Sequence, residues 1–225
     1  MLLQERAPKP DLFELLRNDE FRPTEKVLCT IFKQICKAMI FLLKANIVHG
    51  DLACRNILVF ECNSTEPEKN LVKLTDFGLA QQTTVNNSIH PSTATIPIRY
   101  AASELLQPRT TSKCSEKSEV YSMGTLMWEA CSNGEIPYGS IEDDNDVREI
   151  KISNERLPRP TICGNQLWDI INDCWNINPQ DRPCFRSLKR HLSRSISQLH
   201  SQFANLLNKS SLVKVFLLDQ DNHQE

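Results

Sequence analysis

Glycine is scarce in this chain, with six among 225 residues, at positions 50, 78, 124, 134, 139 and 164. That spacing contains no G-x-G-x-x-G, which excludes a glycine-rich phosphate cradle within these residues. Long apolar runs are missing too. The longest, Ala38 to Leu43, is far short of the roughly 20 residues that cross a bilayer, so no membrane span is expected. The N-terminus reaches Gln4, Glu5 and Arg6 at once and lacks a basic-then-apolar secretory pattern. Neither sign of charge dominates: 26 basic and 28 acidic residues set up no field that would draw nucleic acid or a lipid surface. The cluster Lys189, Arg190 and Arg194 reads as a solvated helix face. Nine cysteines are scattered and never spaced C-x-x-C, and the five histidines share no metal-ligand spacing with them. They read as reduced thiols of a cytoplasmic protein, without a disulfide framework or structural zinc.

The length suits one substantial domain, with or without a tail. Two short polar stretches stand out in it. Val48-His49-Gly50-Asp51-Leu52-Ala53-Cys54-Arg55-Asn56 places four residues between an Asp and an Asn, and Thr75-Asp76-Phe77-Gly78 follows two apolar runs, Ile57 to Phe60 and Leu71 to Leu74. Asp and Asn are ordinary turn residues, so one such match carries little weight. Further stretches follow in order: Ala102-Ser103-Glu104, Ser118 to Gly124, and Cys174-Trp175 with Pro179 and Arg182-Pro183. With this order and spacing the chain resembles a protein kinase from about Leu2 to Leu192.

The resemblance implies roles for particular residues. Asp51 would accept the proton of a substrate hydroxyl, while Asn56 and Asp76 would hold the Mg²⁺ that accompanies ATP. Mg²⁺ takes oxygen ligands, and Asn56 supplies one without adding charge. The Glu5 carbonyl and Ala7 N–H would face the adenine with Leu58 beneath it, and His49 and Phe77 would stack to support the loop of Asp76. Arg55 beside Asn56, Ala53 where serine/threonine kinases carry Lys, and Pro97-Ile98-Arg99-Tyr100 match the tyrosine-specific form, although Tyr100 replaces the usual Trp. The expected partner is a Tyr-containing protein substrate. Gly50 stands where most kinases have a phosphate-clasping Arg. Phosphorylation of residues 79–101, at Thr83, Thr84, Ser88, Ser92, Thr93 or Thr95, is therefore not expected to act as a switch. Glu104 and Arg182 should form a buried ion pair. Glu119 replaces an Asp and is expected to loosen the placement of Asp51, and Ser103 replaces a Pro.

The expected fold is mainly α, a kinase-like C-lobe with a small β-hairpin carrying the catalytic and metal-binding loops. Residues 1–10 would be a hinge remnant, 11–192 the lobe, and 193–225 a helical extension and tail. Asp11 caps a short helix through Asn18, and Thr24 opens a longer one, striped by Leu28, Ile31, Phe32, Ile35, Met39 and Leu42 and ending near Asn46. The hairpin is joined by a polar loop, Glu61 to Asn70. Helices are expected from Glu119 to Cys131, Asp143 to Asn154 and Gln166 to Trp175. Leu188, Leu192, Ile196, Leu199, Phe203 and Leu206 continue a last helical stripe. The apolar segment Leu212 to Leu218 has no assigned use.

Kinases carry a Gly-rich loop, a β3 Lys and an αC Glu ahead of the hinge, and none of these is found here. Three readings follow. The first is a tyrosine-kinase-like enzyme completed by an N-lobe from a longer parent or a partner, weak or inactive by itself. The second is a non-catalytic binding module. The third is a scaffold that uses its own helix over 185–208 as its contact, pairing there with a partner helix.

Overall fold

The computed structural model describes residues 5–83, 96–108 and 113–199. The hydroxyls Thr84, Ser88, Ser92, Thr93 and Thr95, the stripe positions Phe203 and Leu206, and Leu212 to Leu218 lie outside the described residues. The chain is rich in helix, with few and short strands.

Helix α1, Leu12–Arg17, is capped by Asp11, whose carboxylate accepts the Glu14 N–H at 2.9 Å. Helix α2, Glu25–Lys44, is capped by Thr24 and buries Leu28, Ile31, Phe32, Ile35 and Met39 along the anticipated stripe. A left-handed Asn46 (φ 57°) turns the chain out of it. Strand β1, Ile47–Val48, leads into the polar stretch. Strands β2, Ile57–Glu61, and β3, Leu71–Leu74, then pair antiparallel with Ile57 opposite Leu74 and Leu58 opposite Lys73.

The loop between these strands is tightly bound. Asn70 Nδ2 donates to the carbonyls of Asn63 and Glu66 at 3.0 and 2.7 Å. Gln34 of α2 donates to the Asn70 carbonyl at 2.8 Å and accepts the Val72 N–H at 3.1 Å. The hairpin is thereby tied to the longest helix among the described residues. Strand β4, Gln81–Gln82, pairs back on β1, with Ile47 opposite Gln82 and Val48 opposite Gln81. Two glutamines carry no strand signal, so this pairing was not anticipated.

Helix α3, Ser103–Leu106, is a single turn. Helix α4, Glu116–Cys131, starts earlier than expected, because Ser115 and Ser118 close a reciprocal capping box ahead of Glu119. It is buried along most of its length and forms the centre of the core with α2 and α6. Helices α5, Asp144–Ile152, and α6, Asn165–Cys174, follow. Gly124 lets α4 and α6 touch: a Cβ there would lie 2.8 Å from Cys174 Cβ and 2.9 Å from Trp175 Nε1. Helix α7 runs over 185–199 and buries Phe185, Leu188 and Leu192. No helix among the described residues is long and apolar enough to cross a membrane.

Candidate active site

The turn into the polar stretch requires glycine. Gly50 has φ +82°, and a Cβ there would stand 2.7 Å from the Leu79 carbonyl oxygen. An arginine at this position would carry that same Cβ, so the chain's path and the missing Arg are consistent.

His49 is fully buried and its hydrogen bonds define its tautomer. Nε2 lies 2.9 Å from the Thr75 carbonyl, which can only accept, and Nδ1 lies 3.3 Å from the Asp51 N–H, which can only donate. The ring is therefore neutral with the proton on Nε2, in keeping with burial lowering its pKa. Its edge meets Phe77, ring centroids 5.2 Å apart, as anticipated.

Asp51 keeps 13% of its side chain accessible and is gripped from two sides. Arg55 pairs with Oδ1, and Asn56 Nδ2 donates to Oδ2 at 2.8 Å and to the Asp51 carbonyl at 2.7 Å. Burial works against the Arg55 charge, but the neighbouring carboxylate outweighs it and raises the Arg55 pKa. With its nitrogen engaged by Asp51, Asn56 presents its amide oxygen elsewhere. The Thr75 N–H donates to the Asn56 carbonyl at 3.0 Å, which brings the next residue, Asp76, alongside. Asp76 is exposed, has φ 60°, and accepts the Gly78 N–H on Oδ1 at 3.1 Å. Asp51, Asn56 and Asp76 thus gather at the open end of the hairpin.

The N-terminal segment runs along the same hairpin. Glu5 pairs with Lys73 of β3, and Asp11 forms a bridge with Leu58 of β2, leaving Ala7 half-buried between them in sequence. Glu5 and Leu58, two of the adenine-side candidates, therefore lie along the same hairpin, through Lys73 and Asp11 respectively. Asn56 and Asp76 supply oxygen donors of the kind Mg²⁺ takes. No group of three or more His, Cys, Asp or Glu side chains suited to a metal occurs among the described residues, so any ion here would share its shell with phosphate and water oxygens.

Two buried glutamates of α4 support the loop from below. Glu119 accepts the His49 N–H at 3.2 Å and the Gly50 N–H at 2.9 Å. Burial pushes its carboxyl up to about 7, while the two N–H groups pull it back. The longer side chain still reaches both donors. Ser103 is the first residue of α3, the position where a Pro loses nothing, so the exchange is neutral to the backbone there. Glu129 accepts the Cys54 N–H at 2.9 Å and the Tyr100 hydroxyl at 2.7 Å, and burial raises its pKa. Sequence reasoning missed Glu129. The available signal was a carboxylate in an otherwise apolar stretch of a buried helix.

Lys151 was missed as well, in a helix to which the sequence assigned no role. Only 2% exposed, it donates to the carbonyls of Ile98 and Arg99 at 3.0 and 2.9 Å, and burial depresses its pKa far below the usual lysine value. Arg99 reaches the Tyr138 and Ile141 carbonyls at 2.7 and 2.8 Å. The shelf Pro97 to Tyr100 is therefore pinned from both sides. Farther off, Arg182 and Glu104 form the anticipated pair in bidentate fashion, at 2.7 and 2.8 Å, with the Arg182 side chain fully buried.

A model of the protein tyrosine and serine/threonine kinase family matches residues 1–192. The chain belongs to this family. Among curated proteins it is 35% identical over 195 residues to the tyrosine-protein kinase receptor torso of Bombyx mori, covering 86% of this chain and 22% of that protein. It is 34% identical over 186 residues to the tyrosine-protein kinase transforming protein Abl of Abelson murine leukemia virus, covering 83% and 22%. The epidermal growth factor receptor of Apis mellifera is 32% identical over 195 residues, covering 86% and 14%. The chain thus spans about a fifth of these kinases' length or less.

Proposed function

We propose that this chain is the C-terminal, catalytic lobe of a tyrosine-kinase-like enzyme that transfers the γ-phosphoryl group of ATP to a protein hydroxyl, that of tyrosine. The observation that carries this reading is the Asp51 carboxylate held by Arg55 and Asn56, with Asp76 brought alongside through the Thr75–Asn56 backbone bond. Asp51 accepts the proton of the incoming hydroxyl. Arg55 and Asn56 keep its oxygens aimed and spare it a search among rotamers. Asn56 and Asp76 hold Mg²⁺, which when bound neutralises the charge of the transferring group. The Glu5 carbonyl and Ala7 N–H meet the adenine, with Leu58 beneath it. Residues 1–10 act as hinge, 11–192 as lobe and 193–225 as extension. The tyrosine preference rests on the names of the relatives and on Ala53, Arg55 and the pinned shelf at Tyr100. Nine free cysteines suit a reducing, cytoplasmic setting.

No Gly-rich loop, β3 Lys or αC Glu is present in these 225 residues, so these parts come from an N-lobe outside them or from a partner. Phosphoryl transfer depends mostly on positioning, and these residues alone should turn over weakly or not at all. A second reading is a non-catalytic module that binds kinase substrates or regulators. Thermal unfolding with and without Mg-ATP tests the first reading, with Asp76→Asn as control. Saturation at about 100 times Kd stabilises by roughly 2.7 kcal/mol. A shift that Asp76→Asn abolishes supports a nucleotide site. No shift at millimolar Mg-ATP supports the module, or a lobe that needs its missing parts to bind nucleotide.

A further inference from the structure

Where α7 borders α2, a groove of about 340 Å³ is lined by Ile40, Arg186, Lys189, Arg190, Ser193 and Arg194. The polar members recur at spacings of three and four, on the side of α7 away from its buried Phe185, Leu188 and Leu192. None of the four cations takes part in an ion pair among the described residues. Like charges at these spacings repel. The concentration is local: the whole chain carries a net charge of -2, so the cluster stands out against an acidic background. Beside it on α2, Phe41 is 73% exposed, with exposed Lys37 and Lys44 one turn away on either side.

We propose that this groove docks a phosphorylated peptide segment of a protein partner. The phosphate sits among Arg186, Lys189, Arg190 and Arg194, and a neighbouring apolar side chain of the peptide covers Ile40. Arginine forks match phosphate oxygens in bidentate pairs, which a lysine-only face would not offer. A compact cluster of four cations around one apolar residue, Ile40, matches a single phosphate with a neighbouring apolar side chain, whereas a bilayer presents an extended anionic sheet. A nucleic-acid backbone calls for a longer basic track than this compact cluster provides. The inference uses neither ATP nor Asp51, so it stands apart from the proposed activity.

The test is fluorescence anisotropy of the full chain with a short labelled peptide carrying one phosphoserine and a leucine close by, and with its unphosphorylated form. The phosphopeptide should bind about tenfold or more tightly than the unphosphorylated form, and added salt should weaken it. The double variant Arg190→Glu/Arg194→Glu should lose that advantage. Lys113→Glu, an exposed charge reversal elsewhere, should keep it. Arg190, Arg194 and Lys113 are all exposed, and an unchanged unfolding midpoint checks that the variants fold. Equal binding of the two peptides would overturn the proposal, as would no binding of either. Arginine-dependent sedimentation with phosphatidylserine vesicles, in the absence of phosphopeptide binding, would overturn it in favour of a membrane surface.

Discussion

Carboxylates anchor two regions of this domain, and they differ in burial and in the kind of partner: Glu104 is half-buried, whereas Glu119 and Glu129 are buried. Glu104 meets a full positive charge, the guanidinium of Arg182, whose remaining N–H groups go to the carbonyls of Asn176 and Lys117 at 2.8 and 3.0 Å. Beneath the candidate site, Glu119 and Glu129 meet backbone N–H groups and one phenol, which are dipoles and carry no net charge. Dipoles offset less of the cost of burying an ionised group, so burial drives both of these carboxyls upward. The difference places a charge-matched lock in the scaffold and a proton-sensitive support under the loop of Asp51.

Removing Arg182 should have the largest effect, because its fully buried guanidinium ties Glu104 to the carbonyls of Asn176 and Lys117. Arg182→Ala should lose about 3 to 5 kcal/mol and yield little soluble protein. A variant that unfolds in urea within about 1 kcal/mol of the parent would erase the contrast between the two regions.

Glu119 tests the other side. Its carboxyl titrates near 7 in the folded chain against an ordinary value of 4.5, so the folded state binds the extra proton between those limits. Its contribution is fully present below about 4.5 and is lost as the pH rises toward 7. Relative to Glu119→Gln, which does not titrate, the parent should lose stability on the order of 3 kcal/mol across that window. Parallel stability curves for the two proteins would show that the dipoles compensate fully.

Gly50→Ala probes the turn that Glu119 secures. A positive φ combined with a close approach to the Leu79 carbonyl should cost about 2 kcal/mol. Hydrogen exchange should show faster opening of residues 49–51 than of α2. Tyr100→Phe should have the smallest effect. Losing the hydroxyl donor to Glu129 should cost about 1.5 kcal/mol, measured by denaturant unfolding. A still smaller loss would mean that the Cys54 N–H suffices to satisfy that carboxylate.

Much of this arrangement was legible beforehand because it follows local rules. Asp11 and Thr24 cap helices in the way such side chains do, and the stripe of α2 repeats at helical spacing. Asp51, Asn56 and Asp76 were singled out by their spacing. Other features depend on distant partners. The strand Gln81–Gln82 exists because β1 offers it an edge, and the start of α4 was obscured by the polar residues that cap it. Lys151 sits among charged and polar neighbours in sequence, yet its amine ends inside the domain, between the rings of Tyr121 and Tyr138.

By itself, the sequence determined the helical periodicities, the absence of a spanning segment, and the order of acidic, amide and glycine residues that marks the family. These are properties of near neighbours along the chain, where backbone geometry sets the spacing. Only the tertiary structure decided that Glu119 and Glu129 hold the loop by its N–H groups, that Asp51 is gripped from two sides, and that four cations of α7 share one groove with Ile40. Each depends on which groups meet after folding, and burial then sets the cost of their charge, which no local pattern encodes.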